Sequence, residues 1–307
     1  MLNKLIFYII YSLLYLLSLL PFAVWYFISD GLFLVLYYVV GYRKKMAYEN
    51  LRRSFPAKTE AEIRVIHKAF FHHLCDLVAE FFKEMTMSKD TFSQRMKILN
   101  PEIFEEIAQK DKGVLMLATH FGNFEWMTTM TDMASPVTCY GIYAPLKSVV
   151  AERLMVKTRE RWGGKLLPVK DAIRNSLAKL DEKCVIGFVC DQTPSRREQL
   201  YFTQFLHQTT AVHDRMAHLV LQKEADTFFV KVKKVKRGYY TLEYINIPIQ
   251  DFLPYSVENA QKLTDFYTEQ VEKMICEQPE IWLWTHRRWK HSPKGTDILS
   301  AKLKVGT

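Results

Sequence analysis

The hydrophobic and polar positions follow three different periods along this chain, and the changes of period mark its elements. From Leu5 to Val40, 36 residues, Asp30 is the only charged side chain, and Pro21 and Gly31 divide the run. A spanning helix needs about 20 apolar residues, so the run exceeds one crossing and falls short of two comfortable ones. It is too long for the apolar core of a signal peptide, and no Ala-x-Ala follows it. The pattern predicts a membrane-embedded helix over roughly the first 20 residues and an interfacial helix after it. A hairpin of two short crossings stays open.

Thr59-Glu60-Ala61-Glu62 is a capping box, and the apolar positions beyond it (Ile63, Ile66, Phe70, Leu74, Leu77, Phe81, Met85) fall at helical spacing. Asn100-Pro101 precedes a short helix. Apolar runs over 113–119, 137–143 and 185–190 have the length and continuity of buried strands. Helical stretches follow over 124–133, 146–162 and 211–221. Over 227–236, Val230, Val232 and Val235 alternate with Lys231, Lys233, Lys234 and Lys236, which predicts a strand with one wet face. Arg237-Gly238 turns it into an antiparallel partner over 239–249, and a helix over 260–276 closes the pattern. Continuous apolar strands alternating with helices predict an α/β fold, a mixed sheet flanked by helices. Composition does not break after about residue 57, so the expected organisation is a membrane anchor over 1–41 and one domain over 42–307.

Charge refines this picture. Arg43, Lys44, Lys45, Arg52 and Arg53 against Glu49 follow the apolar run, and the bias of Lys and Arg toward the cytoplasmic side places the body there. The net charge of +9 suits an anionic membrane surface, where each basic residue is worth about 1 kcal/mol. No nucleic-acid-binding motif accompanies it, which sets that class aside. Cys75, Cys139, Cys184, Cys190 and Cys276 form no C-x-x-C pair and predict core thiols in a reducing compartment, with neither disulfides nor zinc. His67, His72 and His73 do not converge on a tetrahedral metal site and are expected on solvated or helix faces.

The chemistry concentrates in Thr119-His120-Phe121-Gly122-Asn123-Phe124-Glu125-Trp126, directly after the first buried strand. Polar groups at the carboxyl ends of strands in an open α/β sheet stand where such folds bind ligands. Gly122 and Asn123 suit a sharp strand-to-helix turn. With His120 on the loop and Glu125 in the first helical turn, the carboxylate can fold back onto one ring nitrogen. That leaves the other nitrogen as a general base toward a hydroxyl. No Ser or Cys stands in a G-x-S-x-G context, which favours direct attack over an acyl-enzyme. Alone, an H-x4-E of this kind reads equally as a strand cap and a helix-terminal acid.

Three stretches together resemble the late acyltransferases of lipid A biosynthesis. They are residues 43–56 with Asn50-Leu51 and Phe55-Pro56, residues 113–125 with the H-x4-E, and Pro279-Glu280-Ile281-Trp282-Leu283-Trp284-Thr285-His286-Arg287-Arg288-Trp289-Lys290. Asp191-Gln192 is a weaker match. The resemblance implies a glycerolipid acyltransferase-like fold and catalysis by His120 and Glu125, with no cofactor and no metal. It implies acyl carrier protein as donor, a lipid A precursor as acceptor, and action at the cytoplasmic face of a bacterial inner membrane. An acidic carrier would suit a basic partner. The family's Tyr-Arg-Pro is Tyr143-Ala144-Pro145 here, so the arginine's role passes to Lys147 or Arg159. Asn123, Asp191 and Gln192 are expected to line the cleft, Asp191 reading equally as a turn former before Thr193-Pro194, and Arg287 and Arg288 to clasp acceptor phosphates or to form a solvated basic tail, with the tryptophans beside them facing lipid or substrate. Two other functions stay open: an acyltransferase using acyl-CoA on another glycolipid or an aminolipid, and a non-catalytic membrane lipid-binding protein.

Overall fold

The structure, a computed structural model, describes residues 2–194 and 200–291. The amino-terminal run forms α1 (Leu2–Ser18) and α2 (Phe22–Leu34), and α2 continues as a π-helical turn, Val35–Val40. Pro21 caps α2 and separates the two helices, as its missing N–H allows. The helix long and apolar enough to cross a membrane is therefore the second one, Phe22–Val40, and the shorter α1 precedes it. Among the described residues, length and apolar composition thus single out the second helix, where the sequence pattern expects the first to be the embedded one. α3 (Lys44–Ser54) carries the basic cluster. α4 (Glu60–Glu84) starts with both reciprocal bonds of the capping box: the Thr59 hydroxyl accepts from the Glu62 N–H, and the Glu62 carboxylate accepts from the Thr59 N–H at 2.7 Å.

Beyond these lie α5 (Lys89–Arg95), β1 (Met96–Ile98), α6 (Ile103–Gln109), β2 (Val114–Ala118), α7 (Phe124–Ala134), β3 (Thr138–Tyr143), α8 (Val149–Arg159), β4 (Lys165–Pro168), α9 (Ala172–Lys179) and β5 (Cys184–Val189). They are followed by β6 (Tyr201–Phe205), β7 (Gln208–Val212), α10 (Arg215–Lys223), β8 (Thr227–Lys236), β9 (Tyr239–Asn246) and α11 (Val257–Glu277). Seven strands form one sheet in the order β1-β9-β8-β2-β5-β3-β4. Its pairings are parallel except for the β8–β9 hairpin, so the fold is α/β with a mixed sheet. A separate two-stranded ribbon pairs β6 with β7, where the pattern over 211–221 predicts one continuous helix. Here the chain turns at His213-Asp214 and the helix starts at Arg215.

All five residues of β2 are buried, as its unbroken apolar run requires of a strand covered on both faces. β2 and β5 pair in parallel with Ala118 opposite Val189, and the register extends through the Cys190 N–H donated to the Ala118 carbonyl at 3.1 Å. That register determines which side chains meet just beyond the strands.

Candidate active site

His120 and Asp191 lie two residues beyond the last strand pair, Ala118 and Val189, and they meet. The His120 imidazole Nδ1 lies 2.8 Å from Asp191 Oδ1, and the His120 backbone N–H donates to Oδ2 at 3.0 Å. The Trp282 indole N–H reaches the same Oδ2 at 2.7 Å. Burial pushes the Asp191 carboxyl up, but His120, the indole N–H and the backbone N–H outweigh it, so the group stays ionised below its ordinary value. An ionised carboxylate only accepts, so Nδ1 carries the ring proton. Nε2 is then the unprotonated nitrogen, and the Gln192 side-chain amide lies 3.1 Å from it. The ring is about one-fifth exposed.

Glu125 does not bond to the imidazole. Both its oxygens accept from Arg159, Oε2 from Nε at 2.8 Å and Oε1 from Nη2 at 2.6 Å. The expected fold-back of Glu125 onto His120 is thus replaced by two pairs, His120 with Asp191 and Glu125 with Arg159. A planar guanidinium at the end of α8 offers Glu125 a bidentate match, and the strand register delivers a carboxylate to the ring. The Phe124 ring packs edge-on against the imidazole with centroids 5.1 Å apart.

The turn that holds His120 is braced from the far end of the chain. Gly122 has a φ of +59°, and a Cβ there would lie 2.7 Å from Val232, so only glycine fits. The Gly122 N–H donates to the Ile281 carbonyl at 2.9 Å, and the Leu283 N–H to the His120 carbonyl at 3.2 Å. Asn50 on α3 donates to the carbonyls of Trp284 and His286, Arg43 donates to that of Thr285, and the Phe55 ring packs against Trp284. The three stretches singled out in the sequence therefore converge on one turn.

Residues 1–291 match the family model described as bacterial lipid A biosynthesis acyltransferase. The chain belongs to that family. It is 23% identical over 278 residues to the lipid A biosynthesis lauroyltransferase of Escherichia coli, covering 90% of this chain and 88% of the relative. It is 20% identical over 257 residues to the lipid A biosynthesis palmitoleoyltransferase of the same organism, with 84% and 82% covered. The lipid A biosynthesis acyltransferase of Haemophilus influenzae is 23% identical over 253 residues, with 82% and 78% covered. As a member of the lipid A acyltransferase family, this chain is an acyltransferase.

The other expected site residues divide sharply. Asn123 is buried; its Oδ1 caps α7 by accepting from Trp126 N–H, and its Nδ2 donates to Glu80 at 2.6 Å. It shapes the site and does not line it, a correction that follows from its position at the helix N-cap. Arg288 is buried as well, donating to the Ala211 carbonyl at 2.6 Å and lying over the Phe205 ring. Burial lowers its guanidinium to about 10. It cannot clasp an acceptor phosphate from there. Arg287 and Lys147 are exposed. Trp282 and Trp284 are buried, not lipid-facing, because the segment turns inward to hold Asp191 and the turn. Replacing Trp282 with Phe deletes the indole N–H and shrinks a buried ring; the expected result is a drop in kcat of about tenfold, from the loss of a hydrogen bond to a charged group, together with a lower Tm.

Of the histidines on α4, His72 is half-buried. His67 and His73 are buried, and His67 Nε2 bonds to the Lys44 carbonyl at 3.0 Å. Asp30, His72 and Asp76 lie close enough to hold a metal ion, but the Arg237 guanidinium already supplies the cation, at 2.5 Å from Asp30 and 2.6 Å from Asp76. Among the cysteines, Cys276 is exposed and all five are free.

The sequence reading missed the buried carboxylates Glu80 and Glu84, although their spacing of four with Asp76 draws one stripe down α4. Glu80 accepts from Asn123, Tyr240 and Tyr26, and Glu84 from Thr129. Burial raises Glu80 to about 7 and Glu84 to about 8. A carboxyl whose pKa is raised by folding favours the native state at low pH, and that contribution is lost as pH climbs from about 4.5 through 8. Relative to the wild type, Glu84→Gln should therefore gain Tm progressively between pH 5 and pH 8.5. A constant or shrinking difference across that range would contradict the assignment.

Proposed function

We propose that this protein transfers a fatty acyl chain from an acyl-carrier-protein thioester to a hydroxyl of a lipid A precursor, at the cytoplasmic face of the bacterial inner membrane. The His120 ring carries this reading: one nitrogen is fixed on a buried carboxylate and the other is unprotonated at the carboxyl ends of the parallel strands. The acceptor hydroxyl gives its proton to Nε2 as its oxygen attacks the thioester carbonyl. Collapse of the tetrahedral intermediate expels the thiolate, which takes the proton back from the imidazolium. The products are an ester and a free thiol. Asp191 keeps the tautomer and stabilises the imidazolium, a role the sequence reading gave to Glu125. Glu125 instead fixes Arg159, whose half-buried guanidinium takes the place of the arginine absent at Ala144 and meets acceptor phosphate or the developing oxyanion.

The family membership and the names of the relatives support the reaction class and the acceptor. The net charge of +9 supports an acidic protein donor, and the apolar Phe22–Val40 helix together with the basic α3 supports attachment on the cytoplasmic side. The test is mass spectrometry of membrane glycolipids from a deletion strain, paired with turnover of acyl-carrier-protein and acyl-CoA thioesters by the purified enzyme. Loss of one acyl mass from lipid A and a preference for the carrier thioester are expected. An unchanged lipid A profile would end the proposal.

A further inference from the structure

Length and composition would let Phe22–Val40 cross a membrane, but its contacts run along the body. Trp25 stacks on Phe82, Tyr26 bonds to Glu80 at 3.0 Å, Ser29 to Asp76 at 2.7 Å, Phe33 packs on His72, and Tyr37 bonds to His67 at 3.2 Å. The partner numbers fall from 82 to 67 as the helix numbers rise from 25 to 37, so α2 lies antiparallel along most of α4. That helix is tied to α7 through Trp126 and to the sheet through Tyr240, both of which bond to Glu80. A crossing by α2 in this arrangement would carry Asp76, Glu80 and Arg237 into hydrocarbon, where ionisable groups are strongly disfavoured. A crossing by α2 detached from α4 would strand Asp30 in the bilayer without Arg237.

Among the described residues, the opposite face of α2 is exposed. Phe27 and Val39 are each 79% exposed, and Leu34, Val35 and Tyr38 share their side of the helix. α1 likewise exposes Leu5, Ile9, Leu13 and Leu16 at helical spacing. At 17 residues it is about 25 Å long, shorter than the roughly 30 Å hydrocarbon layer. It docks on the body by Ser18 against Thr86 and Lys83, and by the Tyr11 ring beneath Lys157. Basic side chains flank the apolar surface: Lys44 lies over the Tyr37 ring, and Lys45 is 91% exposed.

We propose that α1 and α2 lie in the plane of one leaflet of an anionic phospholipid bilayer, apolar faces in the acyl layer and basic flanks among the headgroups, and that the chain does not cross. α1 then places lipid beside α8, the helix that ends at Arg159, so acceptor enters sideways from the leaflet. An apolar surface with a basic margin is the pattern of an interfacial attachment.

The test uses the full chain in inner-membrane vesicles and a membrane-impermeant maleimide. Wild-type Cys276, exposed on the body, reports the side of the body. In a Cys276→Ser background, Lys4→Cys and Leu19→Cys report the start of α1 and the turn before α2. Both engineered thiols are expected to label from the face that labels Cys276. Labelling of position 4 from the other face would mean one crossing, and of position 19 from the other face a double crossing; either overturns the proposal. A spin label at Phe27→Cys provides an independent reading: a depth in the outer part of the leaflet supports the in-plane arrangement, and a depth at the bilayer centre refutes it. Neither measurement depends on which acyl donor or acceptor the enzyme uses.

Discussion

Replacing Asp191 with Asn is expected to lower kcat for acyl transfer by about 10³- to 10⁴-fold while the protein still folds and binds membrane. An Asn amide facing Nδ1 would donate to it, forcing the ring proton to Nε2, and the nitrogen needed as base would then already be protonated. Asp191 also accepts from the His120 backbone N–H and from Trp282, so the amide would leave one of these donors opposed by its own N–H. Glu125→Gln tells the two carboxylates apart. It loosens Arg159 without touching the ring, so the expected loss is up to about 10²-fold. A near-normal Asp191→Asn beside a dead Glu125→Gln would return the imidazole to Glu125.

The second large effect is on stability. Trp284 is fully buried and packs against Phe55 and Trp282, while its carbonyl accepts from Asn50 and its indole N–H donates to Pro279. Trp284→Ala is expected to cost about 3–5 kcal/mol, by analogy with other large-to-small core changes, and to lower Tm in detergent by about 10 °C. Because the same segment holds the Gly122 N–H and the His120 carbonyl, residual activity at a permissive temperature should fall as well. A variant with wild-type Tm and wild-type kcat would show that this segment is not a brace. Asn123→Ala should be milder, about 1–2 kcal/mol for the lost helix cap, measured in the same melt.

Local signals in the sequence were read well because local physics makes them. The capping box at Thr59 and Glu62, the turn at Gly122-Asn123, and the hairpin around Arg237-Gly238 each depend on a few neighbouring residues, and each is in the structure. The buried strands over 114–118 and 184–189 follow from their unbroken apolar runs. Pairings across long separations were not legible. His120 and Asp191 are 71 residues apart, and they meet only because β2 and β5 are neighbours in a particular register, which apolar patterning of two buried strands does not encode. Glu125 and Arg159 likewise depend on where α8 ends against α7. The tryptophan-rich segment was misjudged for a related reason. Aromatic and arginine side chains suit a lipid interface and a buried brace equally, and it is long-range contacts, among them those of Asn50, Arg43 and Asp191, that draw the segment inward. Along the amino-terminal run, hydropathy counts apolar residues and does not register that Asp30 pairs with Arg237 on the body.

Chemical rescue of the ring tests the central claim most directly. His120→Gly is to be assayed for acyl transfer from acyl-carrier-protein thioester to lipid A precursor, with and without added imidazole. Negligible transfer by the variant alone, partial recovery as imidazole rises, and no recovery when Asp191→Asn is added are expected. Unimpaired transfer by His120→Gly without imidazole would contradict that claim.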